Sequence, residues 1–209
     1  MIMEKTKLEK NTEFLLNIQG QRKFDPVSIF GNNRDINLEI GAGRGEFLIK
    51  KSKDKPRENF IAFEIKYKRI KTILRKLDPE VNCNVRVCKC MVNEDTIKHF
   101  TENSIKTVYI NHPDPWPKRR HHKRRLIQDD FIEEIAKIVK INGTVCISTD
   151  HEGYSKWIMK KFDSNKSFSP IFEYGFTQRK QEGHISTFFE IKKRKEGYDP
   201  FFMHYKKVL

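Results

Sequence analysis

At 209 residues the chain can bury the core of one domain, and its balance of 37% apolar to 33% charged residues describes a polar protein. A formal net charge of +14 points to a polyanionic partner, although a general surplus of lysine accounts for part of it. No apolar run is long enough to cross a bilayer, and the charged stretch 1–10 lacks a segment of signal length, so a cytoplasmic protein is expected.

Residues 1–30 are lysine-rich, with a short apolar patch at Phe14, Leu15, Leu16 and Ile18, and read as a flexible basic arm holding one or two helical turns. A single domain is expected over 31–209. Apolar runs predict a strand at 37–40, a helix at 45–53 and a strand at 60–64. A helix at 67–77, closed by Asp78-Pro79, leads to a strand at 85–88 and a short helix at 94–100. A strand at 107–111 runs into a proline-rich loop, then a helix at 125–140 ends at Asn142-Gly143. A strand at 144–148 and a helix at 154–162 follow. Five strands alternating with helices argue for an α/β fold, a mostly parallel sheet with helices on both faces. After Pro170 the alternation stops. Residues 188–192 and 201–205 read as two strands with no helix between them, which suggests an antiparallel C-terminal edge.

Gly41, Gly43 and Gly45 follow the first strand and open a helix, where missing Cβ atoms allow a sharp turn and close approach of a ligand. A dinucleotide fingerprint wants its third glycine one position later, where Glu46 stands, and Glu46 is a poor neighbour for phosphates. With Glu39 two residues ahead of Gly41, the loop suits a cofactor without a pyrophosphate. Glu64 ends the second strand, where a carboxylate can accept from both hydroxyls of a ribose.

The densest signal is Asn111-His112-Pro113-Asp114-Pro115-Trp116-Pro117-Lys118, followed by Arg119, Arg120, His121, His122, Lys123, Arg124 and Arg125. Three alternate prolines fix φ and so hold Asp114 in place. Trp116 either stacks on a base or packs into the core. The six cations of 118–125, with no acid among them, suit phosphates better than base edges. A solvated helix start is the plain alternative.

These segments resemble the bacterial tRNA (guanine-N7)-methyltransferases, which carry a similar Pro-Asp-Pro-Trp loop followed by a Lys-Arg-Arg triplet, here Lys123-Arg124-Arg125. Ser148-Thr149-Asp150 and Thr187-Phe188-Phe189-Glu190 extend the likeness, which covers about 31–205. The resemblance implies a Rossmann-like class I methyltransferase fold and S-adenosyl-L-methionine as cofactor. It also implies methyl transfer to N7 of a guanine in the tRNA variable loop. Glu39, Gly41, Gly43, Gly45, Glu64, Asn93 and Asp114 are then cofactor-side residues, with Asp114 at the reaction centre. Lys118, Asp150, Thr187, Phe188, Phe189 and Glu190 are expected to meet the tRNA or its guanine. One departure stands out: after the third strand the family presents an acid or asparagine toward the adenine, and here Met91 holds that place, with Asn93 or a backbone amide as the substitute if the loop is shifted. The resemblance implies no obligatory protein partner and no metal.

Other readings stay open. An exocyclic-nitrogen methyltransferase resembles an Asn-Pro-Pro-aromatic loop, but an acid displaces the second proline here. A non-catalytic RNA-binding module is a third reading, and Glu46 disfavours a nicotinamide dehydrogenase. Asp150 is equally suited to capping the next helix, and Thr187 and Glu190 to being plain strand residues. Cys83, Cys88, Cys90 and Cys146 lack CxxC spacing and read as reduced core thiols rather than zinc ligands.

Overall fold

A computed structural model describes residues 11–18, 23, 24 and 26–209. Its centre is a seven-stranded sheet in the order β3-β2-β1-β4-β5-β7-β6. The strands are β1 (Ile36–Ile40), β2 (Asn59–Glu64), β3 (Val85–Lys89), β4 (Ile105–Asn111), β5 (Val139–Thr149), β6 (Phe168–Pro170) and β7 (Phe201–Lys207). The first five pair in parallel, and β7 runs antiparallel to both β5 and β6.

A parallel strand covered by helices on both faces must be apolar on both, and all five residues of β1 and all six of β2 are buried. Alternate residues serve different cores. Phe60 and Ala62 join Leu48, Ile70, Ile73 and Leu74 from the helices Glu46–Asp54 and Tyr67–Lys76. Ile61 and Phe63 join Ile97, Phe131, Ile132, Ile135 and Ile158 on the other face. Each of these leucine, isoleucine and phenylalanine side chains contributes about 1.5–3 kcal/mol on burial.

Three expectations change. Residues 188–192 are not a strand but the start of the helix Phe188–Lys195, because Thr187 Oγ1 accepts the Glu190 N–H at 3.1 Å and caps it. The antiparallel edge exists, yet its second member is β6, three residues long. The helix expected at 125–140 is Asp129–Ile138, since Gln128 is extended and the cationic run forms its own 3-10 helix, Arg119–Arg124. Asn142, with φ at 65°, lies inside β5 rather than ending a helix.

The described part of the arm is docked. Asn11–Phe14 forms a 3-10 turn, Phe14 is buried, and Asn11 Nδ2 donates to the carbonyls of Leu74 and Leu77. Leu16 N–H donates to Val87 O at 2.9 Å, tying this segment to β3. For residues 1–10, 19–22 and 25 the expected arm lies outside the described residues. No described helix is long and apolar enough to cross a membrane.

Candidate active site

β1 pairs with β2 on one side and β4 on the other, so the strand order reverses between β1 and β4, and a crevice opens there at the carboxyl ends of the strands. It is a cleft of about 650 Å³, lined by the ends of β1, β2 and β4 and by the loops after β3 and β4.

The glycine loop forms one wall. Gly41 and Gly43 have φ of 82° and 59°, and a Cβ on either would point into open space, as expected of a cradle for a ligand. Gly45 serves packing instead: a Cβ there would stand 2.9 Å from Ile73 Cγ1. Glu64 is fastened at the tip of β2. Its carboxylate accepts from Gly43 N–H at 2.9 Å and Lys66 N–H at 2.8 Å, and Arg69 Nη1 lies 3.4 Å away. Behind the loop, Glu39 is 3% exposed and its Oε2 has no hydrogen-bond partner among the described residues. Burial pushes its carboxyl up to about 8; the Asn111 amide opposes this, while Glu46 and Glu64 reinforce it.

At the far end, Cys90, Met91, Val92 and Asn93 line the cleft, and Met91 is 67% exposed. Asn93 Oδ1 is committed: it accepts from Thr96 N–H at 3.0 Å and Thr96 Oγ1 at 2.8 Å, capping the short helix Glu94–Ile97.

The proline loop leaves β4 along a strained path, with positive φ at His112 (51°) and Trp116 (41°). Arg125 anchors it. This side chain is buried, donates from Nε to Pro115 O at 2.9 Å, and stacks its guanidinium on Tyr154 and Trp157. The expectation that all six cations face phosphates therefore fails at Arg125. Lys118, Arg119, Arg120, Lys123 and Arg124 are exposed. Trp116 is half-buried, with the Arg124 guanidinium 5.1 Å over its ring and His121 at its edge. Asp114 is exposed on the cleft and makes no hydrogen bond or ion pair with a described residue.

Asp150 follows β5 and does not cap the next helix, since His151 Nδ1 accepts the Tyr154 N–H in that role. It lies 3.7 Å from both His112 Nδ1 and Lys193 Nζ. The His112 ring beside it is the largest influence holding its carboxyl below the usual range. Thr187, Phe188, Phe189 and Glu190 divide. Phe188 and Phe189 are exposed, Phe188 under Arg44 and Phe189 4.9 Å from the His112 ring. Thr187 is the helix cap, and Glu190 is 1% exposed, bonded to His184 Nε2 at 2.7 Å, Arg194 Nε at 2.8 Å and Ser186 Oγ at 3.1 Å.

A family model described as "Putative methyltransferase" matches residues 33–203. The chain is 32% identical over 200 residues to the tRNA (guanine-N(7)-)-methyltransferase of Thermotoga maritima, an alignment covering 94% of this chain and 62% of that protein. It is 34% identical over 161 residues to the enzyme of the same name from Oceanobacillus iheyensis, covering 76% of this chain and 74% of the relative. The chain belongs to the tRNA (guanine-N7)-methyltransferase family. Its fold is also that of the 16S rRNA methyltransferase KamB, with a TM-score of 0.63 at 10% identity over 90% of this chain and 95% of that one.

As a member of the tRNA (guanine-N7)-methyltransferase family, this chain has a site that fits S-adenosylmethionine. The open cradle at Gly41 and Gly43, the anchored Glu64 and the buried, unpartnered oxygen of Glu39 are the observations that fit. Sequence reasoning missed Arg69, which braces Glu64, and Arg125, which holds the loop. Arg69 carries no local signal, whereas Arg125 hid inside a run of cations.

Glu190 yields an expected result on stability. Burial alone would raise its pKa, but His184 and Arg194 outweigh that and hold it at about 2. A depressed carboxylate stabilises the fold above its unfolded value of 4.5, and that contribution is lost as pH falls from there toward 2. Glu190→Ala is expected to cost about 3 kcal/mol at pH 7, by stranding Arg194 and His184. Its thermal unfolding should also lose part of the acid-induced decline. Unchanged melting at both pH 7 and pH 3 would contradict this.

Proposed function

We propose that this chain transfers a methyl group from S-adenosylmethionine to N7 of a guanine in the variable loop of tRNA. The observation that carries the reading is Asp114: a loop-held carboxylate without a partner among the described residues, in the same cleft as Glu64 and the glycine cradle, flanked by exposed cations. The relatives' names supply the base and the nitrogen; the position in the loop is our inference.

S-adenosylmethionine, when bound, supplies a methyl group already activated by a sulfonium. Guanine N7 has an in-plane lone pair at neutral pH, so no proton need leave before attack, and the protein mainly aligns the reactants and excludes water. Asp114 is then not a general base. It holds the guanine or offsets the positive charge that grows on the methylated ring. Glu64 would hold the ribose, Glu39 the amino end of the cofactor, and Asp150 a second edge of the guanine. Phe188, exposed under Arg44, and Phe189, exposed beside His112, would stack on bases. Lys118 and its exposed neighbours would take phosphates.

Incubating the chain with unmodified tRNA and cofactor, then mapping the nucleosides, tests this. We expect 7-methylguanosine in the variable loop; N6-methyladenosine, or no product with bound tRNA, would overturn it. Lys118→Ala with Arg119→Ala should weaken tRNA binding and reduce the log–log salt slope by about 1.5, at roughly 0.7–0.9 per lost contact. An unchanged slope would place the run away from the interface.

A further inference from the structure

Resting on the cofactor reading above, we propose that Asp130 is the acceptor for the 6-amino group of the cofactor's adenine, replacing the acid or asparagine that Met91 displaces. The adenine amino group is a hydrogen-bond donor and needs an acceptor. At the end of β3, where the family places one, the side chains are Cys90, Met91, Val92 and Asn93. Met91 offers only a thioether, a weak acceptor. Asn93 Oδ1 is committed to Thr96, and its remaining Nδ2 is a donor. The Met91 carbonyl already accepts from Cys90 Sγ at 3.2 Å. The wall expected to read the adenine is therefore short of free acceptors.

Another stretch of the lining provides one. Leu126, Gln128, Asp130 and Phe131 line the same cleft, at and just before the first turn of the helix Asp129–Ile138. That helix packs against the short helix Glu94–Ile97, which directly follows Asn93, so both segments belong to the same end of the fold and line one cleft. Three acids line the cleft: Glu64, Asp114 and Asp130. Glu64 is engaged by Gly43, Lys66 and Arg69 at the tip of β2, and Asp114 sits in the proline loop after β4. Asp130 is exposed and makes no hydrogen bond or ion pair with a described residue. Gln128 is less suited, because its amide nitrogen is bonded to the His122 and Arg125 carbonyls, which holds the side chain against the cationic run. Leu126 and Phe131 supply apolar surface for the ring, as Met91 and Val92 do in the same cleft.

The test compares binding of S-adenosylhomocysteine with S-inosylhomocysteine, whose 6-oxo group cannot donate, by calorimetry. Wild-type protein should prefer the adenosyl compound about tenfold or more, as a hydrogen bond to a charged acceptor allows. Asp130→Ala should lower adenosyl affinity by a similar factor, leave inosyl affinity unchanged or improved, and so erase the preference. Met91→Asp in the Asp130→Ala background should restore it, because it returns an acid to the first wall. Circular dichroism checks that each variant is folded. If folded Asp130→Ala keeps both affinities and their ratio, the assignment to Asp130 is overturned while the cofactor reading stands. If wild-type protein binds neither compound, the cofactor reading fails first, and Asp130 has no role to fill.

Discussion

Asp114→Ala is expected to lower turnover on tRNA about a hundredfold, while affinity for S-adenosylmethionine changes by less than about threefold. The separation follows from where the side chain sits. Its carboxylate is exposed on the cleft and unpaired among the described residues, so its removal strands no buried partner and leaves no cavity. The loop that carries it is held by other groups: Arg125 Nε on Pro115 O, His112 N–H on Ser148 O at 2.9 Å, and Arg124 over Trp116. The frame should survive, so on the proposed reading the loss is one of charge placed beside the guanine as it becomes cationic. Asp114→Asn, which keeps an acceptor but not the charge, should fall between wild type and alanine. Single-turnover rates with calorimetric cofactor titration separate the two effects. Wild-type turnover in Asp114→Ala would remove this residue from the reaction centre.

Gly43→Val should weaken cofactor binding by about tenfold or more, through two effects that act together. At φ of 59° a β-branched residue is strained by about 1–2 kcal/mol, which threatens the Gly43 N–H bond that fastens Glu64. The new side chain would also project into open space, which on the proposed reading is where the cofactor would lie. Gly45→Ala makes an informative contrast. Its Cβ would meet Ile73 instead, so that variant should lose thermal stability by overpacking while a folded fraction still binds cofactor. Calorimetry and thermal melting on the two variants distinguish cradle from packing. Unchanged cofactor affinity in Gly43→Val would contradict the placement of the loop.

The parts of the site that were legible in the sequence are those where local chemistry is unusual. Glycines after a buried strand, acids at strand tips and a proline-framed aspartate all carry their meaning in a few neighbouring residues. The helix at Phe188–Lys195 was misread because Phe188, Phe189 and Ile191 look like an apolar strand, whereas the deciding group is Thr187, whose hydroxyl caps the following turn. Arg125 and Arg124 are adjacent and chemically identical, yet one is buried under the proline loop and the other exposed over Trp116. Nothing local distinguishes them, because burial is decided by Tyr154 and Trp157 from a helix far along the chain.

The order of apolar runs and helices by itself determined an α/β sheet of parallel strands, since each buried strand must be apolar on both faces. The sequence also singled out Gly41, Glu64 and Asp114, which the fold brings to the lining of one cleft at the strand tips. Only the tertiary structure decided which of the polar groups near those tips are free to act. Glu190 and Asn93 are consumed by internal hydrogen bonds, whereas Asp114 and Asp130 are left open on the cleft. The physical reason is that a side chain's availability depends on which donors and acceptors the fold brings within about 3 Å of it, and those come from distant segments.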